Sequence, residues 1–170
     1  MFTDLSPPPI EPVSLDETKL FLRVDHDIED ALISDLITSA REQIERRAGL
    51  ALITRPIRAS LSARGTQARI PLHPVKVLAN VRVQDDSVAA ILDTRPRPAR
   101  ILLERAVYGA LVADITAGFG PLASDVPVPI RQAILLLVAD AYEHREREPG
   151  FERTSLRVDA LLGPYWGPRL

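Results

Sequence analysis

The sequence predicts an α+β protein: a helical bundle core with a small, mostly antiparallel β insertion and an extended C-terminal tail. Three observations predict it. Apolar residues recur at helical spacing in two long segments, about 27–48 and 129–148. Between them, over about 57–117, the period drops to two, the spacing of half-buried strands. The 15 prolines of the 170 residues cluster in the first thirteen residues, in the loops, at a helix start and beyond Pro149-Gly150, dividing the chain into an arm (1–13), a main domain (14–150) and a C-terminal segment (151–170).

Each element has a local reason. Pro7, Pro8, Pro9 and Pro12 favour extended backbone, so residues 1–13 read as an arm. Ser14-Leu15-Asp16-Glu17 fits a capping box, with a Ser oxygen for an orphan N–H and a Glu three residues on, and predicts a helix over 15–22. Asp25-His26-Asp27 interrupts the chain, and Asp27 can cap a second helix over 27–48. Acidic Asp27, Glu29 and Asp30 in its first turn and Arg46 and Arg47 in its last suit the helix dipole, and Gly49 stops it. Ile33, Ile37, Ala40, Ile44 and Ala48 form its stripe, widened by Ile28, Leu32 and Leu36.

Ile57, Ala59, Leu61 and Ala63 alternate with polar residues, as a strand on a half-buried sheet does. Gly65-Thr66 reads as a turn, and Ala68, Ile70 and Leu72 as an edge piece, because Pro71 donates no ladder hydrogen bond. Val75–Val83 is the best strand; Asp85-Asp86-Ser87 is a turn, with Val88–Leu92 returning as a hairpin partner. After the loop Thr94–Pro98, Arg100–Leu103 and Leu111–Ala117 are further short strands. Pro129 suits the first turn of the strongest helix, 129–148, which carries Ile130, Ala133, Ile134, Leu137, Val138 and Ala141 on one stripe and Leu135 and Leu136 beyond it. A helix apolar on most sides is buried in a core or an oligomer. A last short helix over 155–162 precedes Gly163-Pro164 and the aromatic Tyr165-Trp166.

Composition narrows the chemistry. There is no cysteine, which removes disulfides, thiolate metal sites and thiol catalysis. His26, His73 and His144 lie in three separate elements. A formal net charge of −2 gives no overall basic field for nucleic acid. Hydrophobic content of 46% excludes wholesale disorder. No apolar run approaches the ~18–20 residues of a membrane span, and Met1–Pro9 lacks the basic and apolar regions of a signal peptide, so a soluble intracellular protein is expected.

Asp25–Asp30 has the acidic spacing of a calcium loop's start but lacks the glycine at its sixth position and the closing Glu, where Leu36 stands; a helix cap accounts for it. Gly118-x-Gly120 lacks the third glycine of a dinucleotide motif and is followed by Pro121, so it reads as a turn. No nucleophile elbow or zincin spacing occurs. Catalytic, metal and cofactor sites are therefore expected to be absent. Arginine supplies 19 of the 21 basic residues, and Arg55, Arg58, Arg64 and Arg69 sit in or beside the first strands, where they could touch phosphates or a protein partner.

Four blocks, in this order, carry a family resemblance. They are Val13–Asp25 with Asp30–Ile33 and Ala40–Glu45; Ile70-Pro71-Leu72-His73-Pro74-Val75-Lys76-Val77; Thr116-Ala117-Gly118-Phe119-Gly120; and Val126–Leu137 ending in Tyr142-Glu143-His144-Arg145-Glu146. Together they cover about Val13 to Trp166 and resemble the head–tail connector (adaptor) family of long-tailed phages and phage-derived gene transfer agents. The segment from Asp85 to Gly109 departs from the pattern, lacking the aromatic positions common in relatives, which leaves strand register there open.

The resemblance implies a structural virion protein without catalysis, assembled in the bacterial cytoplasm. It implies a twelve-fold ring of copies joining the portal protein to a stopper or tail protein, with DNA passing through the channel without specific binding, and no membrane. It implies that the C-terminal segment docks on the portal. Phe151, Leu156, Leu161, Leu162, Tyr165, Trp166 and Arg169 are the expected docking residues, and truncation after Glu148 is expected to leave a folded protein. Leu135, Leu136, Val138, Ile33 and Ile37 are expected in the core or at subunit interfaces. The alternative is a small DNA-binding or regulatory module that uses the Arg-rich β edge.

Overall fold

A computed structural model describes residues 1–84, 86–144 and 151–166 of the chain. It is an α+β protein, with four helices and a six-stranded, antiparallel sheet. In chain order the elements are β1 (Phe2–Asp4), α1 (Leu15–Leu22), α2 (Asp30–Ala48), β2 (Arg55–Ile70), β3 (Val75–Val83), β4 (Asp86–Ser87), β5 (Ala90–Asp93), β6 (Ala99–Ala117), α3 (Val128–Glu143) and α4 (Phe151–Leu162). They divide into two compact units: a sheet unit of residues 1–9 and 49–121, and a helical unit of residues 10–48 and 122–166.

The sheet unit is organised by β6. Along its whole length β6 pairs with β2, from Arg55↔Ala117 to Ile70↔Ala99. On its other edge the C-terminal half pairs with β3 and the N-terminal half with β5. The two short strands expected over 100–103 and 111–117 are therefore one strand of 19 residues. Gly65-Thr66 is likewise part of β2 rather than a turn: Gly65 opposes Val107 while Gln67 opposes Leu102, so the ladder shifts register here and the extra residues lie on β6. Gly65 supplies the positive φ, +70°, that the irregularity uses. Asp86-Ser87 folds back on β3, and Val88 N–H donates to Val81 O at 2.9 Å, whereas Ala90–Asp93 pairs with β6.

Period-two alternation sends Ile57, Ala59, Leu61 and Ala63 of β2 and Ile101, Leu103, Leu111, Ala113 and Ile115 of β6 into one core. Polar residues take the other face. There Arg58 makes a two-pronged bond to Asp114 directly opposite, at 2.7 and 3.1 Å. The first residues of the arm add β1 to the edge of β2, and Asp4 pairs with the buried Arg55 at 2.9 Å.

The end of β6 is fixed by the Ala-Gly-Phe-Gly segment. Phe119 N–H donates to Leu52 O at 3.0 Å, and Thr54 N–H to Gly120 O at 2.9 Å. Gly118, at φ +139°, lies between these bonds, and a Cβ there would sit 2.4 Å from the Thr54 backbone and 2.6 Å from the Ile53 carbonyl carbon. No side chain fits. The segment is therefore a backbone-on-backbone seam, not a phosphate-binding turn.

In the helical unit α1 starts where the sequence predicts. The Ser14 hydroxyl accepts from Glu17 N–H at 3.1 Å, but the Glu17 carboxylate turns away from the cap to bind Arg131 of α3 at 2.7 and 2.8 Å. Half of the expected capping box is thus replaced by an interhelical ion pair. Asp27 does not cap α2 either. Its carboxylate takes Lys19, which also holds Asp30, and α2 begins at Asp30 after a turn. Ile33, Ile37, Ala40, Ile44 and Ala48 are buried as the stripe predicts, whereas Ile28 and Leu32 are exposed because the helix starts after the one and turns the other outward. Ile130, Ala133, Ile134 and Val138 of α3 are buried, Leu135 nearly so, and Leu136 and Leu137 are half-buried. Arg41, 4% exposed, is held between Glu11 and Glu45, at 2.9 Å from each.

Replacing Gly118 with Ala is expected to cost about 2–4 kcal/mol, since the added methyl meets backbone and the φ is unfavourable for an L-residue. Gly163→Ala, with open space around its Cβ, is expected to stay within about 0.5 kcal/mol of wild type. Urea unfolding of both variants checks the pair. Arg41→Ala leaves Glu45 buried and partly unpaired, and is expected to cost about 3 kcal/mol in the same assay.

Candidate functional site

Among the described residues no group of three or more His, Asp or Glu is placed to hold a metal ion. His26 stands 3.9 Å from Glu29, His144 lies by Asp140, and the backbone of His73 bridges to Gly49 and Ala51. These are separate local contacts, so the places to look for function are surfaces that a macromolecule could meet.

The C-terminal segment is the first. Helix α4 begins four residues earlier than expected and continues into a 3-10 turn, Gly163–Tyr165. Val158 and Leu162 on its inner face are fully buried in the helical unit. Arg47 of α2 bonds Ser155 at 2.9 Å and Asp159 at 2.7 Å, and Thr154 donates to Asp140 of α3 at 3.1 Å. Around these contacts lies a pocket lined by Gln43, Arg47, Leu137, Asp140 and Thr154. A truncation after Glu148 would thus remove buried side chains as well as the tail, so the shortened chain stays folded only if the helical unit holds together without Val158 and Leu162.

Of the residues expected to dock, Leu156 is 70% exposed on the outer face of α4. Leu161, Tyr165 and Trp166 are half-buried, and Leu162 is buried. The side chains of Phe151 and Arg169 lie outside the described ones. Ile33, Ile37 and Val138 are inside the helical unit, with Leu135 at its margin. Leu136 is half-buried.

The second surface is the outward face of the sheet. Near the C-terminal end of β6, Asp114 receives Arg58 and lies 3.6 Å from Arg82. Hydrogen bonds from Arg58 hold the Asp114 carboxyl below the ordinary range; burial opposes this, and the charges of Arg58 and Arg82 add to the lowering. Toward the register shift the pattern changes: Arg64, Arg69 and Arg105 are exposed, with no ion-pair partner among the described residues. Tyr108, 82% exposed, stands opposite Arg64.

The third is at the connection between α1 and α2. Leu20, Phe21, Ile28 and Leu32 are all exposed there, and Ile28 and Leu20 most of all, at 90% and 81%. Sequence reasoning placed Ile28 and Leu32 on the buried stripe. Their exposure could have been read only from where α2 starts.

Residues 12–92 match the family model described as Phage gp6-like head-tail connector protein. Comparison with curated proteins gives no match. Solved structures do resemble the whole chain. A chain of "Neck of empty GTA particle computed with C6 symmetry" is 26% identical with a TM-score of 0.81, covering 100% of this chain and 97% of its own. A chain of "Virion of native gene transfer agent (GTA) particle" is 27% identical with a TM-score of 0.79, at the same coverage. One of "Neck of native GTA particle computed with C12 symmetry" is 28% identical, TM-score 0.75, again covering 100% and 97%.

Because Asp114 has a lowered carboxyl pKa in the folded state, its contribution to stability is present above the ordinary carboxylate pKa of about 3.9 and is lost as pH falls through the folded value. Thermal melting followed from pH 7 down to the acid range is expected to show a steeper loss for wild type than for Asp114→Asn, with the variant the less stable of the two at pH 7.

Proposed function

We propose that this chain, a likeness of the gp6-like head-tail connectors over residues 12–92 and of gene-transfer-agent neck chains over its full length, is a structural connector in the neck of a phage-like particle. It acts as one copy in a ring that joins a portal protein to a stopper or tail protein, around a channel through which DNA passes. The role is mechanical rather than catalytic, and the place of work is the virion. The observation that carries the reading is the likeness itself: a TM-score of 0.81 at 26% identity over 100% of this chain and 97% of a particle-neck chain. Twelve copies are the ring size suggested by the C12 symmetry of one such neck.

The chemistry of the chain supports this use. A part that holds rings together needs rigid units and outward-facing contacts. Charge-assisted hydrogen bonds tie the arm residue Glu11 to Arg41 of α2, Glu17 of α1 to Arg131 of α3, and Arg47 of α2 to Asp159 of α4. The outer face of α4, led by Leu156 and flanked by Leu161, Tyr165 and Trp166, offers an apolar and aromatic edge of the kind that serves as an anchor. In this reading that edge meets the portal. The inner residue Leu162 supports the helix rather than touching the partner.

The second reading, a DNA-binding module, is favoured by the exposed Arg64, Arg69 and Arg105, which have no ion-pair partner among the described residues. The two part company on salt: such a module would bind duplex DNA with an affinity that falls steeply as salt rises. Electron microscopy of the purified protein with and without its portal tests the connector reading, which expects rings at the portal and overturns if none form. In the same preparation Leu156→Asp is expected to weaken portal binding about tenfold or more while leaving the melting temperature unchanged. Unaltered binding would remove α4 from the docking surface.

A further inference from the structure

We infer that copies of this chain join to one another by a heterologous contact: the Arg-rich end of one copy's sheet, centred on Tyr108, seats on the acidic apolar patch at the α1–α2 connection of the next copy. The inference rests on the connector reading for its setting and on the distribution of charge and exposed apolar surface for its content.

The small net charge of the chain hides a separation. Residues 1–9 and 49–121 carry ten basic against six acidic residues, a net of +4, while residues 10–48 and 122–166 carry ten against 17, a net of −7. On the sheet unit the surplus is concentrated where local pairing is absent. Arg58 and Arg95 are committed to Asp114 and Asp93, but Arg64, Arg69 and Arg105 have no ion-pair partner among the described residues. Tyr108 stands among them, 82% exposed and opposite Arg64 in the ladder. Arg and Tyr are the residue types that anchor interfaces, since each presents a large, flat, partly apolar surface with a polar edge.

The helical unit presents the complement. Leu20 and Ile28 are 81% and 90% exposed, and Phe21 lies beside Leu20. Asp16, Asp25 and Asp35 are exposed around this connection, without ion-pair partners among the described residues. The nearby Lys19 is already neutralised by Asp27 and Asp30, at 2.6 and 2.7 Å, which leaves Arg23 as the cation facing these acids. An apolar patch rimmed by carboxylates suits an aromatic ring rimmed by guanidinium groups: the first loses water on contact, and the second fixes register and discourages wrong partners. Two complementary patches at different places on one chain cannot pair isologously. They repeat head to tail and close into a ring when the rotation per copy allows.

A polyanion could also meet the arginines. It would do so on a chain whose helical unit carries −7, which repels it at long range. The second copy is therefore the favoured occupant, and DNA is an outcome of the test.

The natural absence of cysteine makes the test direct. Tyr108→Cys and Ile28→Cys are prepared separately, both at exposed positions, and oxidised alone, mixed, and combined in one chain. The mixture is expected to give disulfide-linked dimers at least ten times more than either variant alone, and the combined variant a ladder of oligomers. Adding Arg64→Glu and Arg105→Glu to the Tyr108→Cys chain is expected to cut the mixed yield about tenfold, with partial recovery when the partner chain carries Asp25→Lys and Asp35→Lys. About 0.5 M NaCl is expected to lower the wild-type-charge yield. Equal linkage in each variant alone, or none in the mixture, overturns the inference. So does tight duplex-DNA binding that Arg64→Glu and Arg105→Glu abolish while the mixture stays unlinked. Rings on the portal without the linkage would leave the connector reading standing and this contact wrong; linkage without portal binding would do the reverse.

Discussion

The sheet unit depends on one contact with no tolerance in it, the backbone of Gly118 laid against Ile53 and Thr54. That contact ends β6, and β6 is the strand on which β2, β3 and β5 all pair. The hydrogen bonds from Phe119 to Leu52 and from Thr54 to Gly120 bring the segment that leads into β2 alongside the end of β6. Leu50, Ala51, Leu52 and Ile53 are fully buried as a result. A larger residue at position 118 would separate these backbones, and the register of the long β2–β6 ladder would lose its fixed end.

The helical unit is held differently. Its stripe residues bury apolar surface in the ordinary way, and ion pairs over long sequence separations add to this: Glu17 of α1 with Arg131 of α3, Arg47 of α2 with Asp159 of α4, and Glu11 of the arm with Arg41 of α2. Pairs of this kind add modest stability where exposed and more specificity where buried. The helical unit is acidic because its sequence carries 17 acidic against ten basic residues, and pairing decides only which of these charges are matched locally. In the sheet unit Arg64, Arg69 and Arg105 are exposed without an ion-pair partner among the described residues. The separation of charge is thus written in the sequence, and the fold decides where on each unit it is displayed.

Much of the fold was legible residue by residue. Ser14 marked the start of α1, Pro129 the first turn of α3, and the Ile33–Ala48 stripe the buried face of α2, because caps and amphipathic periods are local properties. The valine-rich strand β3 was found at its observed bounds for the same reason. Errors gathered where a distant partner decided the outcome. Glu17 and Asp27 had capping roles available and took cations instead. Gly65-Thr66 has the composition of a turn, yet β2 continues through it, because β6 pairs on both sides of the register shift. The tail after Pro149-Gly150 looked separable, yet α4 buries Val158 and Leu162.

The sequence by itself determined the alternation of helical and strand periods, the caps, the absence of thiol chemistry and the ordered blocks that resemble a connector. It could do so because each depends on neighbours a few residues apart. The tertiary structure decided which polar side chains are spent and which remain free. Arg64 and Arg58 occupy the same face of one strand at even spacing, and nothing local separates them. Only the pairing of β2 with β6 puts Asp114 opposite Arg58 and Tyr108 opposite Arg64. An ion pair between residues 56 positions apart is a property of register, and register is set by packing of the whole sheet.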